Sequence, residues 1–248
     1  MRRRLFIGIG VVIFTFLMVA EVDAQAHKKN AFKQSLRNSF KNWYLDINLG
    51  SLLFYGDISY NEMTVFAREP WDYRLGEGII FSKRIHKTMD ARFQFLNGRL
   101  AGVKRENSLG YSVDEYFLAS IREVNANLLV NISKIAYPRV YDNRFTYFVT
   151  LGAGMNFFRS VKRALFTDKF VNGVGYSNLG ETKAGRLSTL VFPCSIGTNM
   201  TMTRTLSLNF EIGYRFTSSD KLDATVSGAK DHYSYVDLGF KILLGSQK

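Results

Sequence analysis

Four polar side chains near the C-terminus carry the groups that covalent chemistry uses: Ser219, Asp220, Asp231 and His232. A histidine beside a hydroxyl and an acid activates a nucleophile, because the imidazole takes the hydroxyl proton while the carboxylate orients the ring. No spacing signature ties these four together, and all are ordinary loop residues. No catalytic residue is therefore assigned, and the chain is read as a non-enzyme. Metal chemistry needs clustered ligands, whereas His27, His86 and His232 fall in a tail, a turn and a loop edge, and Cys194 is the single cysteine. No metal and no other cofactor is expected.

A different set of charges is patterned. Asp46, Asp90, Arg92, Glu123, Glu211, Arg215, Asp237 and Lys241 all stand at polar positions of segments in which every second residue is apolar. In "TLSLNFEIGYRFTS", Leu206, Leu208, Phe210, Ile212, Tyr214 and Phe216 alternate with Ser207, Asn209, Glu211, Gly213, Arg215 and Thr217. Alternation of period two is a strand signature. If the polar face is enclosed, these charges must pair, because an unpaired buried charge is very costly. Glu211 and Arg215 lie roughly 13 Å apart along their strand, too far to pair with each other. The expected partners are across strands, Arg92 or Lys241 for Glu211 and an acid such as Asp237 for Arg215.

Eight such segments follow Trp43. They centre on "WYLDINLG", "YRLGEGIIFSK", "KTMDARFQFLNG", "EVNANLLVNI", "RFTYFVTLGAGMNFF", "TLVFPCSIGTN", the stretch above and "YSYVDLGFKILLG". Pro193 interrupts the sixth, and the apolar residues of the second bunch at Ile79, Ile80 and Phe81. Tight or modest links join segments two to three, four to five and six to seven, while long polar stretches join the others. An even number of strands with short turns at one end and long loops at the other predicts an all-β, eight-stranded antiparallel up-and-down transmembrane barrel with a polar lumen.

Three features choose the inside-out arrangement over a soluble, lipocalin-like barrel. Gly50, Gly152, Gly154, Gly197, Gly213 and Gly239 lie on the polar face, as a narrow lumen requires. That face is rich in amides and hydroxyls rather than lysine. Aromatics sit toward strand ends at Trp43, Tyr147, Phe157, Tyr214 and Phe216, where interface girdles stand. Glu77 and Arg122 break the scheme by falling on the lipid-facing parity, through a bulge or by projecting beyond the hydrocarbon.

The first residues give the compartment. "MRRR", an apolar run "LFIGIGVVIFTFLMVA" and "VDAQ" read as a secretory signal spanning residues 1–24, cleaved after Ala24. Residues 25–42 form a basic periplasmic segment in which Phe32, Leu36 and Phe40 recur every four residues, as a short amphipathic helix or a solvated tail. The barrel then occupies residues 43–245, with a tail of residues 246–248. Lys and Arg total 33 against 21 Asp and Glu, a formal net charge of +12. The excess gathers on one rim, at Lys28, Lys29, Lys33, Arg37, Lys41, Lys83, Arg84 and Lys87, where anionic headgroups would meet it. Outer-membrane lipids are the expected partners, together with a periplasmic or envelope protein held through residues 25–42. Nucleic acid is excluded by the compartment and by the lack of aromatic and basic interleaving on one face.

The stretches "LDINLGSLLFYGDIS", "ARFQFLNGRLAG", "RFTYFVTLGAGMNFF" and the alternating final strand resemble the small eight-stranded outer-membrane barrels of Gram-negative bacteria, the OmpA/OmpX type within the broad outer membrane protein beta-barrel domain family. The resemblance covers about residues 43–245 and is a matter of pattern. It implies a bacterial outer-membrane location and a structural or interaction role with a largely plugged lumen. A porin-like pore for ions or small solutes, or a component of an envelope protein-secretion assembly of the type IX kind, are the alternatives it leaves. The chain ends "LLGSQK", without a terminal aromatic, and no peptidoglycan-binding module is expected after the barrel.

Overall fold

A computed structural model describes residues 40–58, 72–106, 112–136, 144–177, 182–226 and 228–245. Residues Asn42–Leu244 form one compact unit. A second unit comprises Met1–Lys41 and Gly245–Lys248, of which only Phe40, Lys41 and Gly245 are described. The expected signal, the basic segment around Phe32 read as a short helix or a solvated tail, and the basic residues Lys28, Lys29, Lys33 and Arg37 lie outside the described residues, as does the 246–248 tail.

The strands are β1 Trp43–Tyr55, β2 Arg74–His86, β3 Met89–Glu106, β4 Ser112–Asn131, β5 Phe145–Ala164, β6 Phe170–Val174, β7 Leu187–Thr201, β8 Leu206–Thr217 and β9 His232–Leu243, with a short helix α1 at Ile132–Ala136. All pairings are antiparallel between ring neighbours, β4 pairs β5, and β1 pairs β9. Eight strands thus close on themselves, and β6 is an extra strand hung on the end of β5. Closure leaves no edge in the ring, which is what allows strands to cross hydrocarbon.

The register also fixes the tilt. Starting at Ile242, the perpendicular row runs through Leu45, Phe81, Phe93, Ala126 and Ala153, crosses to Phe192 by the register that Leu151↔Cys194 and Gly154↔Val191 share on either side, and passes Phe216 to return to β9 at His232, ten residues from where it left. A stagger of this size tilts the strands by about 40° in an eight-stranded barrel.

The turns are built from local polar chemistry. Thr203 Oγ1 accepts from the Leu206 amide at 3.0 Å and closes the β7–β8 turn. Asn131 caps α1 by accepting from the Lys134 amide at 3.0 Å, and Ser133 Oγ accepts from the Tyr147 amide at 2.8 Å, fastening the helix to β5. These turns share one end of the barrel with Trp43 and Leu243, and the long loops occupy the other.

Burial settles which face is outside. Leu49, Leu151, Ile196 and Leu238 are 58%, 60%, 58% and 50% exposed, while Asp46, Arg92, Glu123 and Glu211 are nearly sealed. So large an apolar exterior marks a surface that meets lipid or protein rather than bulk water. Pro193 takes its place in β7 opposite Arg215 of β8, and on its other side the β5–β7 pairing lapses between Leu151↔Cys194 and Gly154↔Val191, as a residue without an amide donor requires.

The inner face has two storeys. In the turn-end storey it is polar, as the glycine and amide pattern predicts. Toward the loop end it becomes apolar: Leu52, Phe54, Leu96, Leu100, Phe117, Ile121 and Phe158 pack with Ile58 and Leu222 from the loops. Phe54 and Phe117 meet edge to face with centroids 4.6 Å apart. Hydrophobic parity therefore inverts along the strands. In β4 the outward residues Leu128, Ala126 and Val124 give way to the inward residues Ile121, Ala119 and Phe117. The strands that carry the inversion furthest are long, 18 residues in β3 and 20 in each of β4 and β5.

Candidate functional site: the polar interior

The eight patterned charges all lie on the inner side, and each owes its direction to period-two strand geometry. Arg92 is central in the turn-end storey. Its Nη2 donates to Glu211 Oε2 at 2.8 Å and its Nη1 to Thr150 Oγ1 at 3.0 Å, so that β3 is tied to β8 and β5 across the interior. Ser195 Oγ donates to the other Glu211 oxygen at 2.5 Å. The Arg92 guanidinium also stands 5.7 Å from the Phe148 ring centroid.

A second group surrounds Glu123. Arg215 Nε approaches its Oε2 at 3.7 Å, a coulombic contact longer than a hydrogen bond, and the Tyr233 hydroxyl donates to the same oxygen. Asn125 donates to Oε1, and Asn156 Nδ2 donates to the Tyr233 hydroxyl at 3.1 Å. The Arg215 guanidinium lies 5.2 Å from the Tyr235 centroid and folds back over Gly213, where an added Cβ would stand 2.2 Å from its Nη1. A side chain at Gly213 would displace the arginine. Gly239 has the same role for Asp46, whose Oδ1 would be 2.4 Å from an added Cβ.

Near the turn end, Asp90 lies between two cations, Lys241 Nζ at 3.5 Å and Arg84 Nε at 3.5 Å. Both cations face Tyr44, at 4.8 Å and 5.2 Å from its ring centroid. Asp46 accepts from Asn209 Nδ2 at 3.0 Å and Asp237 from Asn48 Nδ2 at 3.0 Å. Glu211 thus takes the expected Arg92, whereas Arg215 turns to Glu123 rather than Asp237. Register explains the exchange: Arg215 stands opposite Tyr233, and Tyr233 and Glu123 share a hydrogen bond.

Sequence parity did not single out Thr150, Ser195, Tyr233, Asn48, Asn125, Asn156 or Asn209 as partners. Their signal was the amide and hydroxyl content of the polar face. The outward aromatics include Trp43, Tyr147, Phe157, Tyr214 and Phe216, and Tyr55 and His232 join Tyr214 and Phe216 in a patch with centroids 4.9 to 5.8 Å apart. Lys83 stands 5.3 Å from the Trp43 centroid, while Lys41, Lys83 and Lys87 are exposed and Arg84 is drawn inward by Asp90.

The serine, histidine and aspartate group does not assemble. His232 packs on the outer aromatics, while Asp231 is buried and accepts from the Leu222 amide at 2.7 Å. Among the described residues no three of His, Cys, Asp and Glu gather to hold a metal ion.

At the loop end, the 218–231 loop is packed into the apolar storey by Leu222 and Ala224. Asp223 accepts from the Ile58 amide at 3.1 Å and from the Thr225 amide at 2.8 Å, and Asn172 Nδ2 donates to the Ala224 carbonyl at 2.7 Å. Burial pushes the Asp223 carboxyl up to about 6. Burial first, then the nearby acids Asp223, Asp220 and Asp57, push Asp231 up to about 8.

No protein-family model matches the chain, and no curated protein matches it. Solved structures similar to it include Neisserial surface protein A, at 12% identity and TM-score 0.44 over 82% of this chain and 97% of that one. Ail, the attachment invasion locus protein of Yersinia pestis, is 10% identical with TM-score 0.42 over 81% and 97%. A major outer membrane protein from Thermus thermophilus is 10% identical with TM-score 0.45 over 81% and 98%. The fold itself is stated by the ring closure and the apolar exterior: the chain has the architecture of the small eight-stranded outer-membrane β-barrels.

Proposed function

We propose that this protein is an integral barrel of the bacterial outer membrane, exported by its cleaved signal, whose lumen is closed by its own ion-paired side chains. It acts in the cell envelope as a structural or interaction protein, through its external loops and its basic periplasmic rim, and not as an enzyme. The observation that carries this reading is the combination of an apolar exterior with the interior pair Arg92 and Glu211, whose side chains are 3% and 4% exposed. Such a pair spans the lumen where a conducting pore would hold water. The apolar upper storey, closed over by Leu222, supports the same reading from the other end.

Residues 25–42 are proposed to dock a periplasmic or envelope partner. Comparing co-purified proteins from cells carrying the whole chain and a chain lacking 25–42 tests this, an unchanged profile counting against it. The membrane reading is tested by gel mobility of the unheated and heated protein from outer-membrane fractions. A heat-modifiable band in that fraction is expected, and a monomer in the soluble periplasm would overturn it.

A further inference from the structure

We propose that Arg99, Arg122, Arg159 and Arg186 form a binding site on the outer wall for the phosphate groups of an outer-leaflet glycolipid. Ser120 is the centre of this site. It faces outward on β4, with Arg99 of β3 opposite it on one side and Arg159 of β5 opposite it on the other. Arg186, from the chain leading into β7, lays its guanidinium on the same spot: Nη1 donates to the Ser120 and Phe157 carbonyls at 3.0 Å each and Nη2 to Ser120 Oγ at 3.2 Å. Arg122 projects from the same face two residues along, and Arg159 Nε donates to the Gly185 carbonyl at 2.8 Å. Adjacent strands are about 4.8 Å apart, so four guanidinium groups collect within two strand spacings.

Their height on the barrel follows from the parity inversion. On β4 the outward apolar run ends at Val124 and the next outward residue is Arg122. On β5 it ends at Phe157 and the next is Arg159, while on β3 Phe95 is followed by Asn97 and Arg99. Each step of two residues is about 6.6 Å along the strand. The arginines therefore stand immediately above the belt that meets acyl chains, where lipid headgroups begin. No register shift separates Glu77 or Arg122 from its neighbours, so their outward parity is real and not the product of a bulge.

The charge balance calls for an anion. Among the described residues, the carboxylate on this part of the wall is Glu77, and Asn97 Nδ2 donates to its Oε1 at 2.9 Å. Partial burial and the nearby positive charges of Arg122 and Arg159 hold Arg186 below the usual guanidinium range. Planar guanidinium forks bind phosphate oxygens in pairs, and several converging on one region match a headgroup carrying more than one phosphate. Val124, Met155 and Phe157 below them offer apolar contact to the acyl chains of the same molecule, which a free anion in solution would not use.

The inference rests on the outer-membrane reading, and its test separates the two. The folded protein is placed in nanodiscs of phosphatidylcholine containing either bisphosphorylated lipid A or the same lipid with its phosphates removed, and lipid retained per barrel is measured by mass spectrometry. Enrichment of the phosphorylated form by about tenfold is expected. It should fall to parity in a variant carrying Arg99→Gln, Arg122→Gln, Arg159→Gln and Arg186→Gln. Equal retention of the two lipids by the unaltered protein would overturn the site without recourse to any variant. So would retention undiminished in the variant, or full displacement by inorganic phosphate, which would mark a free-anion site. Heat-modifiable mobility of the same samples reports folding into the bilayer, so failure of the membrane reading appears there and not in the lipid ratio.

Discussion

Arg92 reaches from β3 to Glu211 on β8 and makes its second bond to Thr150, so its removal leaves a carboxylate sealed without its cation. Breaking a buried pair from one side typically costs about 3–5 kcal/mol. Arg92→Ala is expected to lower barrel stability by that order in urea unfolding followed by gel mobility, and Arg92→Ala with Glu211→Ala together should recover part of the loss. Additive losses in the double variant would show that the two side chains are not coupled. The sequence made the inward direction of these residues legible, because period two assigns a face. It did not make every partner legible, because partners across a lumen lie on strands that are not neighbours in the sheet. Arg215 choosing Glu123 over Asp237 is a result of where Tyr233 and Asn125 hold the carboxylate.

The elements show the same division. Eight alternating segments give eight ring strands, and the weak second segment and the proline-interrupted sixth both take their places. The helix α1 and the strand β6 were not legible: α1 is a single capped turn, and β6 exists only because β5 extends far enough to pair with it. The inversion of parity in "EYFLASIREV" is present in the sequence, but period two assigns one apolar face to a whole segment and does not mark where the faces exchange. That inversion is the physical signature of strands leaving lipid. The 218–231 loop that caps the upper storey carries its own test. Asp231 faces Asp223, Asp220 and Asp57, and Asp223 faces Asp57 and the cation Lys162. Both carboxyls are raised above an unfolded value of about 3.9, so their contribution to stability is full below that pH. It is lost as pH rises through about 6 for Asp223 and about 8 for Asp231. Amide protection factors in the loop are therefore expected to fall between about pH 4 and 8, with the upper part of the fall absent in Asp231→Asn. Protection independent of pH in the unaltered protein would contradict this account of the loop.

At the scale of the whole molecule, two boundaries organise the chain. Around the ring, apolar side chains face out and polar ones in; along its axis, this order reverses where the barrel rises above the membrane. The lower storey is held by ion pairs and the upper by a hydrophobic core. The proposed function falls to the rims and the outer wall, because side chains fill the described interior. The claim most open to direct test is that the lumen is closed. Single-channel recording of the folded protein in planar bilayers, with insertion verified by heat-modifiable mobility of the same preparation, is expected to show no stepwise current. Discrete conductance steps from the unaltered protein would contradict the account, and would mean that the Arg92 and Glu211 pair does not seal the passage.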